Sequence, residues 1–143
     1  MNKLLLPLIA AAFAFGPTYS YAAKTAPQAL TQSPPPAPYK AVSSLVKLPD
    51  FLPGMGQLFV DPNTLPAGPF LAYDHKGKLV STIYMIPIAN MKPDFNLNDL
   101  KTPGVKVNHV DMMYNAGHPG VAEPHIHIVL WNVSPKDEAR VAK

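Results

Sequence analysis

Apolar side chains fall along most of this chain in short alternating runs separated by turn residues. In the run from Leu79 to Ile86, Leu79, Ser81, Ile83 and Met85 point one way and Val80, Thr82, Tyr84 and Ile86 the other. Both sides carry apolar material, which predicts a central strand. Gln57 to Val60 and Phe70 to Tyr73 are two further strand candidates, punctuated by Asp61-Pro62-Asn63 and Pro66-Ala67-Gly68-Pro69. Asp74-His75-Lys76-Gly77-Lys78 reads as a hairpin loop, with Gly77 supplying a positive φ and His75 a solvated tip. Two later runs alternate as well, one around His109-Val110-Asp111 and one from His125 to Trp131. In the second, Ile126, Ile128 and Leu130 oppose a face formed by His125, His127, Val129 and Trp131.

Between these runs the pattern is irregular. Leu45, Val46, Leu48, Phe51 and Leu52 are apolar, but Pro49 and Pro53 limit them to a short helical turn or an irregular lead-in. Pro87 to Lys106 predicts a long loop with one helical turn at Asn96 to Lys101. Ser134-Pro135 followed by Asp137, Glu138 and Arg140 begins like a capped helix that the chain has little length left to extend. The predicted fold is mainly β: a small antiparallel β-sandwich or partly closed β-barrel with long loops and little helix.

Composition divides the chain into three parts. Residues 1–22 have a secretory leader's pattern, with Lys3 before an apolar stretch from Leu4 to Phe15 and small residues at Ser20 and Ala22. The expected location is periplasmic or secreted, with cleavage after Ala22, leaving 121 residues (143 minus 22). No later run is long enough for a transmembrane helix. Residues 23–39, including Pro34-Pro35-Pro36-Ala37-Pro38, predict a disordered, semi-rigid tether. Residues 40–143 are expected to form a single β-rich domain. The chain has no cysteine, so disulfides and thiolate-bound metal are excluded. Its formal charge of +3 falls to +2 once Lys3 is removed, and with no basic stripe this gives no case for nucleic acid as a partner.

The candidate chemistry is a histidine cluster, four of the five histidines lying between positions 109 and 127. Residues two apart on a strand share a face and sit about 6.5 Å from one another, so His125-x-His127 can aim two imidazoles at one ion, and His109 pairs with Asp111 in the same way. Asn115 to Pro124 holds two glycines and two prolines, as a loop reversing the chain would, and would bring the two pairs together. His118 in that loop is a fifth candidate ligand. Glu123 is either an outer acid supporting the ligands or an exposed loop residue. The expected metal site is therefore His109, Asp111, His118, His125 and His127. Nitrogen and oxygen donors without thiolate suit zinc or copper(II), and Met113, on the face of His109 and Asp111, leaves room for copper(I). Otherwise Met112 and Met113 are core filler.

The order His109, Gly117-His118-Pro119 with a glycine close by, then Pro124-His125-x-His127 is similar to a family of uncharacterised secreted bacterial domains with a His…GHPxG…PHxDxHFY pattern, over roughly residues 55–133. The resemblance implies a small β-rich periplasmic domain with a His/Asp site, without a known reaction. His127 stands where that family has Asp, Val129 where it has a further His, and Trp131 where it has the closing Tyr. His125-x-His127 alone also resembles the cupin barrels. Three functions follow: a metal-binding module without catalysis, a cupin-like metalloenzyme (hydrolase or oxygenase), or an assembly protein whose histidines form a buried network. The partners expected are a metal ion and, for the third reading, a second copy or another protein.

Overall fold

The computed structural model describes residues 29–143. It contains one six-stranded antiparallel sheet, not closed into a barrel, in the order β1-β2-β3-β4-β6-β5. The strands are β1 (Lys40–Ala41), β2 (Gln57–Val60), β3 (Phe70–Tyr73), β4 (Leu79–Pro87), β5 (His109–Asn115) and β6 (His125–Trp131). The mainly β fold with little helix expected from the alternation is what forms, and the helical elements lying wholly within the described residues are four short 3-10 segments.

The alternation explains the sheet. β1 to β4 form a meander whose tightest turn is the Asp74 loop, with Gly77 at φ +70°. β4 is buried over eight of its nine residues, as its two apolar faces require. One face of the sheet carries Val60, Phe70, Ala72, Ile83, Met85, Val129 and Trp131, covered by the lead-in residues Val42, Phe51 and Met55 and by Val141. The other carries Phe59, Leu71, Tyr73 and Leu79 under Leu30, Tyr39 and Val105. Burial of each large apolar side chain contributes about 1.5–3 kcal/mol.

Several segments depart from what their composition predicts. Instead of hanging free as a tether, residues 30–39 lie against the sheet. The Leu79 amide donates to the Thr31 carbonyl (3.1 Å), Ser33 N to Gly77 O (2.8 Å), and the Tyr73 hydroxyl to Leu30 O (2.9 Å). Leu30 and Tyr39 gain apolar cover there, which a count of prolines does not reveal. The leader expected at residues 1–22 and the start of the expected tether lie outside the described residues. Among the described residues no helix is long and apolar enough to cross a membrane.

The helical turn expected at 96–101 does not form. Asp99 has φ +55°, the Asn96 and Asn98 amides bond to neighbours in the loop, and the Tyr84 hydroxyl donates to the Lys101 carbonyl, holding the strip across the sheet. Met112 and Met113 are not core: both are exposed, because β5 is an edge strand. His75 is exposed but engaged, stacked on Phe51 with ring centres 3.6 Å apart and bonded through Nε2 to the Lys143 carbonyl (2.7 Å).

The C-terminal 3-10 turn, Pro135–Val141, starts at Ser134, whose hydroxyl accepts from Asp137 N. It is anchored by Val141 in the core and by Arg140, whose Nε donates to Asp74 Oδ2 (2.8 Å). Asp74 Oδ1 accepts from Lys76 N (2.9 Å) and Lys78 N (2.8 Å). Burial alone would raise this carboxyl's pKa, but the bonds from Lys78, Arg140 and Lys76 outweigh it and hold the value below the usual 3.8.

Breaking the Asp74–Arg140 pair from either side should therefore be costly. Asp74→Asn and Arg140→Ala are each expected to lower unfolding free energy by about 1–3 kcal/mol in urea titrations at neutral pH. Because the folded pKa lies below the unfolded one, the carboxylate's contribution is complete above about 3.8 and is lost as pH falls towards the folded value. Asp74→Asn should lack that acid-dependent component.

Candidate functional site

β6 places His125 and His127 on the inward face of the sheet, where both are buried. They are there because Val129 and Trp131, two and four positions on, belong to the core, so period-two alternation carries the imidazoles inward with them. His118 comes from the loop between β5 and β6. It opens the turn His118-Pro119-Gly120-Val121, closed by His118 N to Val121 O (2.9 Å) and Val121 N to His118 O (3.0 Å). Proline second and glycine third, with φ +91° at Gly120, fit a type II turn. Gly117, at φ +129°, passes so close to Ala122 that an added Cβ would lie 2.4 Å from its carbonyl oxygen. Asn115 Oδ1 accepts from Gly117 N (2.8 Å). The loop is thus set by its own turn chemistry and carries His118 over the pair on β6.

The three imidazoles meet through Nε2. His125 Nε2 lies 2.9 Å from His127 Nε2 and 3.2 Å from His118 Nε2. His125 Nδ1 is 2.7 Å from the Glu123 carbonyl and His118 Nδ1 3.0 Å from that of Pro119. A carbonyl can only accept, so Nδ1 of each ring carries a proton, and in the neutral tautomer that a metal ligand needs, Nε2 is left with a bare lone pair. One proton on His127 Nε2 can satisfy the contact with His125. The His118–His125 contact then sets lone pair against lone pair, which a cation at the centre relieves. Burial, with His125 and His118 alongside, pushes the His127 pKa down to about 4, so the ring is neutral at physiological pH, as a ligand must be.

His109 and Asp111 lie elsewhere. In the antiparallel pairing His109 is opposite Trp131 and Asp111 opposite Val129, whereas Met113 is opposite His127 and Asn115 opposite His125. Four residues of strand, about 13 Å, separate His109 from the level of His127, and two, about 6.5 Å, separate Asp111 from it. His109 Nε2 bonds to Glu138 Oε1 (3.0 Å) and its ring stacks on Trp131, while Asp111 Oδ2 accepts from Trp131 Nε1 (2.8 Å). The five residues expected in one site thus fall into two groups, His118 with His125 and His127, and His109 with Asp111, the second joined by Glu138.

Glu138 has no motif in the sequence. Its only signal is its place in the Ser134-capped turn, which folds back onto the sheet. Glu123 is exposed and contributes its backbone carbonyl to His125, not its carboxylate. Met113 and Met85 flank His127 on the two neighbouring strands, so the thioether once placed beside His109 is beside the histidine group instead.

An apolar cavity of about 270 Å³ adjoins His118 and His127. Val46, Leu48, Leu58, Phe70 and Met85 are among the apolar residues that line it, and its polar lining is Asn115, His118 and His127. None of its lining side chains is an acid, a lysine or an arginine.

Comparison with known proteins locates the chain without giving it a reaction. A family profile described as TTHB210-like, hypothetical protein TTHB210, matches residues 74–114, from the Asp74 loop into β5 and short of His118. The crystal structure of hypothetical protein TTHB210 from Thermus thermophilus is 43% identical, with a TM-score of 0.56 over 66% of this chain and 87% of that one. No functionally curated protein matches. With that identity over most of the relative's length, the chain belongs to the TTHB210-like family of uncharacterised proteins.

Proposed function

We propose that this is an exported metal-binding domain that holds zinc or copper through Nε2 of His118, His125 and His127. The observation that carries the reading is the convergence of three Nε2 atoms at 2.9 and 3.2 Å, with two Nδ1 atoms committed to backbone carbonyls. Carbonyls that orient ligating imidazoles in this way are a regular companion of metal sites. Nitrogens bonded tetrahedrally to zinc at about 2.0–2.1 Å lie roughly 3.3 Å apart, so a shift of a few tenths of an ångström accommodates the ion. Met85 and Met113 beside His127 keep copper in contention. The export half of the reading rests on the leader pattern at residues 1–22.

The adjoining cavity favours one further reading, a metalloenzyme. Three imidazoles leave a zinc ion a fourth position, and His118 and His127 both line the cavity. A hydrolase or an oxygenase would use that position for water or dioxygen. Hydrolysis of activated esters and oxygen uptake by the metal-loaded protein test it.

Protein purified without a histidine tag is expected to bind one equivalent of zinc or copper at micromolar or lower concentration. Saturation at about a hundredfold over the dissociation constant should stabilise the fold by about 2.7 kcal/mol, reversed by chelator. His125→Ala and His127→Ala should each cost at least about a hundredfold in affinity. His109→Ala should change it less than about twofold, since that ring is at the other end of the strand pair. No binding by the unaltered protein would overturn the proposal.

Gly117→Ala offers a finer test. Its Cβ would collide with the Ala122 carbonyl, so the loop must shift and take His118 with it while β6 keeps its place. Metal affinity should fall about tenfold or more in calorimetry, with the far-ultraviolet spectrum of the sheet retained. Unchanged affinity would remove His118 from the ligand set.

A further inference from the structure

We infer that the cavity beside the histidines takes a medium-chain monocarboxylate, its carboxylate on the ion and its alkyl chain along the apolar wall. This rests on the metal reading above and names what the ion's open side receives. The lining is strongly divided: Leu48, Leu58, Phe70 and Met85 offer no polar side-chain group, while His118, His127 and Asn115 are the polar exceptions. Asn115 Oδ1 is already engaged by Gly117 N. A ligand matching this lining has one polar group and an otherwise apolar body.

Charge selects the polar group. Around a divalent ion the three imidazoles are neutral, and none of the cavity's lining side chains is charged, so the ion would be the net positive charge that an entering ligand meets. An anionic oxygen ligand complements it, and a carboxylate does so without needing a second donor. Volume selects the chain length. At roughly 30 Å³ per non-hydrogen group, a space of about 270 Å³ holds about nine groups, close to hexanoate or octanoate. A helix, a strand or a second copy of the chain does not fit.

The test is a calorimetric series on the full zinc-loaded protein with butanoate, hexanoate, octanoate, dodecanoate and 1-octanol, repeated after chelation. Affinity is expected to rise about fourfold per methylene up to octanoate and to stop rising at dodecanoate. Octanol, and octanoate on the metal-free protein, should bind at least tenfold more weakly. Methyl resonances of Leu48, Leu58 and Met85 should shift on titration.

Zinc binding without octanoate binding would overturn this inference and leave the metal site standing. Failure to bind any metal would overturn both. Equal binding of octanol, equal binding after chelation, or shifts confined to methyl groups outside the cavity would refute the carboxylate on the ion.

Discussion

The register of β6 is the constraint on which the rest of the structure depends. It is the one long strand with a long partner on each side, β4 and β5, paired over all seven residues with both. A strand so held cannot rotate, and a one-residue slip would send every side chain to the opposite face. Trp131 and Val129 fix the phase by filling the core. His125 and His127 inherit that phase and are driven into the interior, where unpartnered polar rings are costly. The loop then supplies the partners that burial demands: the Glu123 carbonyl to His125, and His118 above both. Sheet packing and the imidazole cluster are two results of one pairing.

Local patterning made much of the sheet legible. β2 and β3 coincide with the runs read from alternation, β4 extends one residue past its run, and the Asp74 hairpin forms with glycine at the positive φ. Tertiary relations were harder to read. Bringing His109 and Asp111 up to His125 and His127 treats the two strands as if their first residues met. An antiparallel hairpin pairs the first residue of one strand with the last of the other, so His109 meets Trp131. The loop length and strand order in the sequence contain that arithmetic. The approach of Glu138 from the C-terminal turn, and the seating of residues 30–39 on the sheet, depend on contacts across the fold that no local pattern encodes.

The cavity arises from how the core is covered. Where β2 to β4 are strands, the segment from Val42 to Met55 spans the same face with short 3-10 and irregular turns. Such chain packs less uniformly than a strand or a helix, and the space it leaves opens where the loop of His118 and Gly120 comes down on Val46. The Gly120 position matters to that wall, because a Cβ there would lie 3.0 Å from the Val46 methyl.

Trp131 is the chain's single tryptophan, and its surroundings give it a use beyond packing. Its indole lies between the His109 ring and the Asp111 carboxylate, four residues along β6 from His127. Indole emission, excited at wavelengths the tyrosines do not absorb, therefore comes from one known point. Release of the C-terminal turn would alter the His109 ring against the indole, whereas a paramagnetic ion, if the three imidazoles held one, would act across about 13 Å. Wavelength and intensity would consequently be separate optical channels, one reporting the seating of the C-terminal turn and the other, were the proposed ion bound, the occupancy of the histidines.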